Sequence, residues 1–557
     1  MPVLTHEGAA SLSRSGLLQE KKMSRLVGAL KYGTLLVFVS FLLSVSGASA
    51  EPPAALAERI ESLRQSFGVP GFSAAVVEGG ATTFARGFGV RDLDDPQPVD
   101  AKTNFAIGSI TKGFTAAALA RLVDEGRIWW NDPVIDHLPD FRMQDPWVTR
   151  EMTIRDLLVH RSGLGLGAGD LLFVPRSDLS RAETVRRLRH IEPETSFRNT
   201  YAYNNLMYVA AGLLMEAVTE QTWEDYVHTE ILMPAGMIGA TVNEAARAAH
   251  GNIANPHARL DGSVRGMGEQ TPLGEDAVIP PNAAPAGGIT ASANDMARWM
   301  TVQLARGRLD EDEWLFSAQR SREMWTPVTI KPVSEVPEPL KALQPNFDTY
   351  ALGWTVRDYR GARLLIHGGG VFGGLAMLAL LPEEDVGIFL AMNSEEAGML
   401  IGLTYELLDH YLGLASEDWP EKYRSYFNDR RKAALSKLEE AAAKPAEVGP
   451  SLSLERYTGA YRDPWFGTIE IRVLDGRLMV EFPHWPGLTA TLEHWQYDTF
   501  RTAFSDPSVE PAFVTFGLDA RGSVSRITME AVSPIADFSY DYRDLLFTPV
   551  AQEGEGQ

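Results

Sequence analysis

The chain has 557 residues, 45% of them hydrophobic and 22% charged, an apolar share that fits a packed globular protein and excludes a disordered one. It has no cysteine, which excludes a disulfide, a thiolate nucleophile and a cysteine-held zinc or iron–sulfur site. With 51 Lys and Arg against 73 Asp and Glu the net charge is −22, a field that repels phosphate backbones and argues against nucleic acid or anionic lipid as partners.

Residues 21–50 begin with Lys21, Lys22, Arg25 and Lys31, continue as an apolar run from Gly33 to Val45 and end on Ala48-Ser49-Ala50. Basic start, apolar middle and small residues for cleavage are the layout of a secretory signal peptide. The run is shorter than the roughly 20 residues that a spanning helix needs. Residues 1–50 are therefore expected to be a leader cleaved after Ala50, giving a periplasmic or secreted protein with no stable membrane span. An uncleaved anchor is the alternative, and Met23 is a second candidate start. Loss of this segment removes five basic and two acidic residues and moves the charge from −22 to −25.

Residues 53–66 put Leu56, Ile60 and Leu63 on one side of a predicted helix. Residues 71–90 read as two strands around the turn Gly79-Gly80. Helices are predicted over 109–124, 206–219 and 293–305. Between 363 and 393 the runs RLLIH, LAMLALLP and VGIFLAMN read as adjacent strands. Strands at both ends with helices between them fit a mixed α/β fold, a sheet covered by helices. Residues 428–447 are polar and rich in helix formers, so a solvated helical linker is expected within 416–450. From 451 to 557 the pattern turns to strands. Ile469, Ile471 and Val473 alternate, then Leu478, Val480 and Phe482, around a turn at Asp475-Gly476. Further strand-like runs at 488–493, 499–504, 512–518 and 524–531 predict a small all-β barrel. Its Trp465, Phe466, Trp485 and Trp495 are expected in the core. The alternative is that a loop such as Pro464–Gly467 reaches the active-site mouth.

Several chemistries are refused outright. The chain has no H-E-x-x-H and no G-x-x-x-x-G-K-[ST], so the zincin and P-loop readings fail. His367-Gly368-Gly369-Gly370 resembles an esterase oxyanion phrase, but no G-x-S-x-G elbow exists to accompany it.

One motif is positive. Ser109-Ile110-Thr111-Lys112 is the single S-x-x-K of the chain. Residues three apart share a helix face, and a serine at a helix N-terminus meets backbone N–H groups that favour a developing anion. The helix continues as FTAAALARLV, which carries Lys112 toward the interior, where desolvation lowers an amine's pKa. Such a pair makes an activated nucleophile. The plain reading is a capping serine with a surface lysine.

At this point the chain resembles the penicillin-recognising serine hydrolases: class C β-lactamases, DD-carboxypeptidases, D-aminopeptidases and their esterase relatives. The phrases that carry the likeness lie between about 55 and 415. They are FAIGSITKGFTAAALARLVDEGRI, TIRDLLVHRSGL, YAYNNLMYVAAGLLMEAVT, PAGGITASANDMARWM, YALGW and LLIHGGG. The resemblance implies a β-lactamase-like transpeptidase fold over 51–415, an antiparallel sheet covered by helices. Some relatives of this kind carry lipocalin-like C-terminal barrels, to which 451–557 is similar.

The family's second motif, Y-x-N, matches Tyr203-Asn204-Asn205. The resemblance implies that Tyr203 relays a proton and that Asn205 holds Lys112 or the substrate amide. Tyr201 competes for the phenol but lacks the asparagine, and Tyr426-Phe427-Asn428 also matches the pattern in the linker. The third motif, K-T-G, is absent, and His367-Gly368-Gly369 stands in its place. A histidine there is a weaker, pH-dependent cation, which argues against β-lactam hydrolysis. By family position the oxyanion hole uses the N–H groups of Ser109 and Gly370, with Gly369 letting substrate lie close. No metal or organic cofactor is implied. The expected activity is an exported serine hydrolase that cleaves amide bonds of small or unusual peptides, including D-residue, cell-wall or nonribosomal ones. Carboxylesterase and β-lactamase are the alternatives, and a penicillin-binding-like sensor is the non-enzymatic one.

Overall fold

A computed structural model of the chain describes residues 52–274, 277–415, 417–442 and 448–550. The expected leader lies outside the described residues, as do 443–447 of the linker and 551–557 of the last domain. Among the described residues no helix is long and apolar enough to cross a membrane.

Eight strands form one sheet, antiparallel at every pairing. From edge to edge they are Ala81–Gly89, Gly71–Glu78, Val386–Met392, Gly374–Leu381, Ala362–Val371, Thr355–Tyr359, Asp348–Tyr350 and Thr329–Ile330. Strands Gly71–Glu78 and Val386–Met392 are buried along their whole length. Both faces are therefore covered, which is why these strands read as near-continuous apolar runs rather than alternating ones.

One face carries helices Leu56–Phe67 and Ala397–Tyr411, through Leu56, Ile60, Leu63, Met399, Leu403 and Leu407. The other carries Thr111–Asp124, Leu206–Thr219 and Ala293–Leu304. The helix Thr111–Asp124 is buried at every position but Arg121 and Asp124. Its alanines let neighbours close in, and Phe114 stacks on Trp299 with ring centres 3.9 Å apart. A helix apolar all round has to be central, and this placement carries Lys112 inside.

The linker departs from expectation. The helix runs Trp419–Ala442, starts nine residues earlier than predicted, and is not simply solvated. The Trp419 indole N–H donates to Asp409 at 2.7 Å, and Tyr423 stacks on Tyr405. The aromatic residues ahead of the charged segment hold it to helix Ala397–Tyr411.

The last domain is a closed barrel of eight antiparallel strands in sequence order, Gly459–Asp463 pairing with Leu546–Pro549 to shut it. Asp475 and Gly476 both have positive φ, 50° and 73°, the geometry of a type I′ hairpin turn. Trp465, Phe466 and Trp485 are buried, as expected. Trp495 is not core: it is half-buried and pairs with Phe513. The barrel's buried residues and those under the sheet form one continuous apolar cluster.

Candidate active site

Ser109 sits on a tight turn. A short strand Phe105–Ala106 leads into the 3₁₀ turn Gly108–Ile110, which runs on into helix Thr111–Asp124. Strand Ala362–Val371 presses against this turn. A Cβ on Gly108, whose φ is +49°, would fall 2.6 Å from the Gly370 nitrogen, and one on Gly369 would fall 1.9 Å from the Ile107 oxygen. Only glycines allow the approach. It brings the backbones of Ser109 and Gly370 together.

Lys112 is fully buried. Its Nζ lies 2.9 Å from Ser109 Oγ, 2.8 Å from Asn205 Oδ1 and 2.9 Å from the Ala286 carbonyl oxygen. Desolvation pulls its pKa down to about 7, against the opposing pull of the Asp170 charge. Tyr203 places its ring centre 4.8 Å from the same nitrogen. Burial holds the Tyr203 phenol well above its usual pKa, and a hydrogen bond with Ser109 only partly offsets this. The four side chains named from S-x-x-K and Y-x-N thus come together. Tyr201 does not join them; it lies against His160, Tyr350 and Lys331. The second Y-x-N lies on helix Trp419–Ala442, where Phe427 and Asn428 edge the cavity.

His367 corrects one expectation. It is buried, with Nδ1 2.7 Å from the Gly368 carbonyl and Nε2 2.8 Å from the Tyr350 hydroxyl. A carbonyl can only accept, so Nδ1 carries the proton and Nε2 accepts from Tyr350. Burial, and secondarily the nearby Lys112 charge, lower its pKa to about 3. The imidazole is neutral at physiological pH, so it is not the weak cation anticipated for a substrate carboxylate. Gly369 is a second correction. Gly369 shares the strand face of His367 and is pressed on the Ile107–Ser109 turn, where a Cβ would fall 1.9 Å from the Ile107 oxygen and 3.3 Å from the Ser109 nitrogen, and it is not among the cavity's lining residues. Gly369 spaces the strand and does not line the site.

Three participants escaped sequence reasoning. His160 packs between Tyr203 and Tyr350, tilted on the first at 4.2 Å and edge-on to the second at 4.4 Å, and burial keeps it neutral. Asp170 accepts from Asn205 Nδ2 at 2.8 Å, and burial raises its pKa to about 7. The third is a barrel segment, residues 533–544. Phe538 meets the Tyr203 ring edge-on at 5.9 Å, and Tyr540 lies 5.5 Å from Phe372, two residues past Gly370. His160 stood in a recognised phrase, so that signal was available. For Asp170 and Phe538 there was none.

These walls enclose a cavity of about 980 Å³, at the upper end of small-ligand pockets. Ser109 is half-exposed at its floor, among Tyr203, His367 and Gly370, and Phe538 and Tyr540 form the barrel-side wall. Pro464–Gly467 is not among the lining residues; the carbonyl of Trp465 instead receives Arg187 at 2.9 Å. Among the described residues no group of three or more His, Asp or Glu is placed to hold a metal ion.

Comparison with known proteins gives the same outline. Residues 56–412 match the family model described as Beta-lactamase, and 443–549 match a domain of unknown function, DUF3471. An unguisins hydrolase of Aspergillus campestris is 29% identical over 433 residues, 74% of this chain and 77% of that protein. Protein flp of Staphylococcus aureus is 25% identical over 368 residues, 65% of this chain and 67% of that one. Among solved structures, the octameric penicillin-binding protein homologue from Pyrococcus abyssi has a TM-score of 0.55 at 21% identity, covering 88% of this chain and 98% of its own. A class C beta-lactamase mutant has a TM-score of 0.52 at 18% identity, covering 64% and 96%. At these identities the structures speak for the fold.

Proposed function

The chain belongs to the beta-lactamase family of serine hydrolases, and from that premise we propose that it cleaves amide bonds in small or unusual peptides through an acyl-enzyme on Ser109. The observation that carries the chemistry is the 2.9 Å contact between Ser109 Oγ and a buried amine whose pKa has fallen to about 7. At neutral pH a substantial fraction of Lys112 is unprotonated and can take the serine proton as Oγ attacks the carbonyl carbon. The Tyr203 phenol keeps its proton in the resting enzyme, so it acts as a relay and Lys112 as the base. Electron density moves from the carbonyl π bond onto its oxygen, which the N–H groups of Ser109 and Gly370 stabilise. Collapse expels the amine, which leaves with a proton passed through Tyr203. Water then attacks the ester, and Ser109 regains its proton.

The substrate class rests on the size of the cavity and on the neutral His367. A 980 Å³ space holds a short peptide, and no cation stands at the third-motif position to demand a terminal carboxylate. The same absence disfavours β-lactams. Export to a periplasm or the exterior is part of the proposal, supported by the leader pattern, as is the exclusion of polyanionic partners. Carboxylesterase is the second reading, because one acyl-enzyme serves both bonds and the apolar Phe173, Val174, Ile279 and Phe538 line the cavity. Turnover of D- and L-aminoacyl anilides, dipeptides, p-nitrophenyl esters and nitrocefin on the protein lacking residues 1–50 decides between them. Anilides or dipeptides are expected to be cleaved and nitrocefin to be poor. Esters alone would replace the peptide reading with the esterase one, and efficient nitrocefin turnover would remove both.

A further inference from the structure

Asp170 is wholly buried and takes no part in the steps above. Its Oδ2 accepts from two sides, from Asn205 Nδ2 at 2.8 Å and from Ser539 Oγ at 2.9 Å. Ser539 belongs to the barrel segment 533–544. The neighbouring Gly169 N–H donates to Asp541 at 2.7 Å, so two adjacent residues of this loop are tied to the barrel.

The direction of these bonds matters. A primary amide has one accepting and one donating end. A carboxylate opposite Asn205 fixes the donating NH₂ toward Asp170, so the oxygen must face Lys112. The Ala286 carbonyl on the same amine is also a pure acceptor. A neutral amine has two N–H bonds and one lone pair. Two acceptor-only neighbours take both N–H bonds, which leaves the lone pair for the third neighbour, Ser109 Oγ. Were Asn205 to flip, its NH₂ would compete for that lone pair.

We infer that Asp170 is a positioning residue, which through Asn205 aims the Lys112 lone pair at Ser109, and that the barrel completes the catalytic site by holding Asp170 with Ser539. The inference rests on the serine-hydrolase reading. It makes the C-terminal domain part of the acylation machinery rather than an appended module. The surrounding charges agree. Lys112 faces the neutral imidazoles of His160 and His367 and the phenols of Tyr203 and Tyr208, so Asp170 is the carboxylate acting on it. Asp170 in turn faces Asp537 and Asp541, both from the barrel segment.

The test needs no knowledge of the substrate. A fluorophosphonate probe is reacted with wild type, Asp170→Asn, Ser539→Ala and Ser539→Thr, and the limiting labelling rate is separated from probe affinity across pH. Asparagine at 170 can either accept or donate, so it no longer fixes the Asn205 amide. The expected result for Asp170→Asn is a limiting rate at least tenfold lower at unchanged affinity. Its pH profile should also change, because the Asp170 charge, which favours protonated Lys112 where it is present above about pH 7, is gone. Ser539→Ala should lose severalfold in rate, and Ser539→Thr, which keeps the hydroxyl, should restore it. Melting temperatures show which variants are folded. If Asp170→Asn does not fold, the Ser539 pair decides. A limiting rate within twofold of wild type in every folded variant overturns the inference. Absence of labelling in wild type would instead strike the serine-hydrolase reading itself.

Discussion

The proposed chemistry turns on one amine. Lys112 would be an ordinary cation on a surface; the same residue in the buried first turn of helix Thr111–Asp124 loses the solvation that keeps it charged. Its ordinary pKa is about 10.4, and the folded value is about 7. The base form therefore accumulates as pH rises, and acylation should climb through about pH 7 and then level. A rate that is flat from pH 5.5 to 8.5 would contradict Lys112 as the base. Lys112→Ala should lower the acylation rate by about 10²–10⁴-fold, the usual worth of general base catalysis, in single-turnover measurements on an activated ester. That Ser109, Lys112, Tyr203 and Asn205 come together was legible from S-x-x-K and from the family resemblance, which set Tyr203-Asn204-Asn205 apart from the second match at Tyr426-Phe427-Asn428. His367 was legible as a position and misread as a cation, since burial beside Tyr350 cannot be seen from its neighbours in the chain. Asp170 had no local signal: its partners are Asn205, 35 residues away, and Ser539, 369 residues away.

Between elements, the decisive contact is strand Ala362–Val371 against the turn Gly108–Ile110. Gly369 is buried on Ile107, and that close approach sets the Gly370 nitrogen beside Gly108. A methyl group at 369 has no room, since it would sit 1.9 Å from a backbone oxygen. Gly369→Ala should displace the strand and, with it, one oxyanion donor, lowering kcat by about 10²–10³-fold along with the melting temperature. Wild-type kcat in this variant would mean that the strand position does not set the oxyanion site. Helices and central strands were legible from apolar periodicity, and the hairpin from Asp475-Gly476. The barrel's closing strands, Gly459–Asp463 and Leu546–Pro549, escaped notice. They are short, and they exist as strands only because the barrel shuts between them. The Trp419–Ala442 helix was recognised by its charged half and missed in its packed half, where aromatic residues rather than a periodic stripe make the contact.

Across the whole molecule, the barrel is fused to the catalytic unit through a shared core. Trp485 is buried, and its indole N–H donates to Leu171 at 3.0 Å, directly beside Asp170. Trp485→Ala should destabilise the protein by about 3–5 kcal/mol, the usual cost of emptying a buried tryptophan site. Thermal unfolding should show one transition at lower temperature. Two separate transitions would show that the barrel melts on its own. Substrate choice belongs to this scale too, because Phe538 forms a wall of the cavity over Tyr203. Phe538→Ala should raise kcat/KM for bulky anilides or esters relative to small ones by roughly tenfold, in line with a pocket contact worth about 1–3 kcal/mol. An unchanged ratio would place the specificity wall elsewhere. The sequence suggested that some barrel loop could reach the active-site mouth but pointed to Pro464–Gly467. The segment that reaches it is 533–544, whose role depends on how the closed barrel is docked.

The central claim is an acyl-enzyme on Ser109, and peptide mass spectrometry after fluorophosphonate treatment tests it most directly. The account predicts one adduct, on Ser109, in the native protein, none in Ser109→Ala, and loss of all hydrolytic turnover in that variant. An adduct on another residue, or turnover that survives Ser109→Ala, would contradict it.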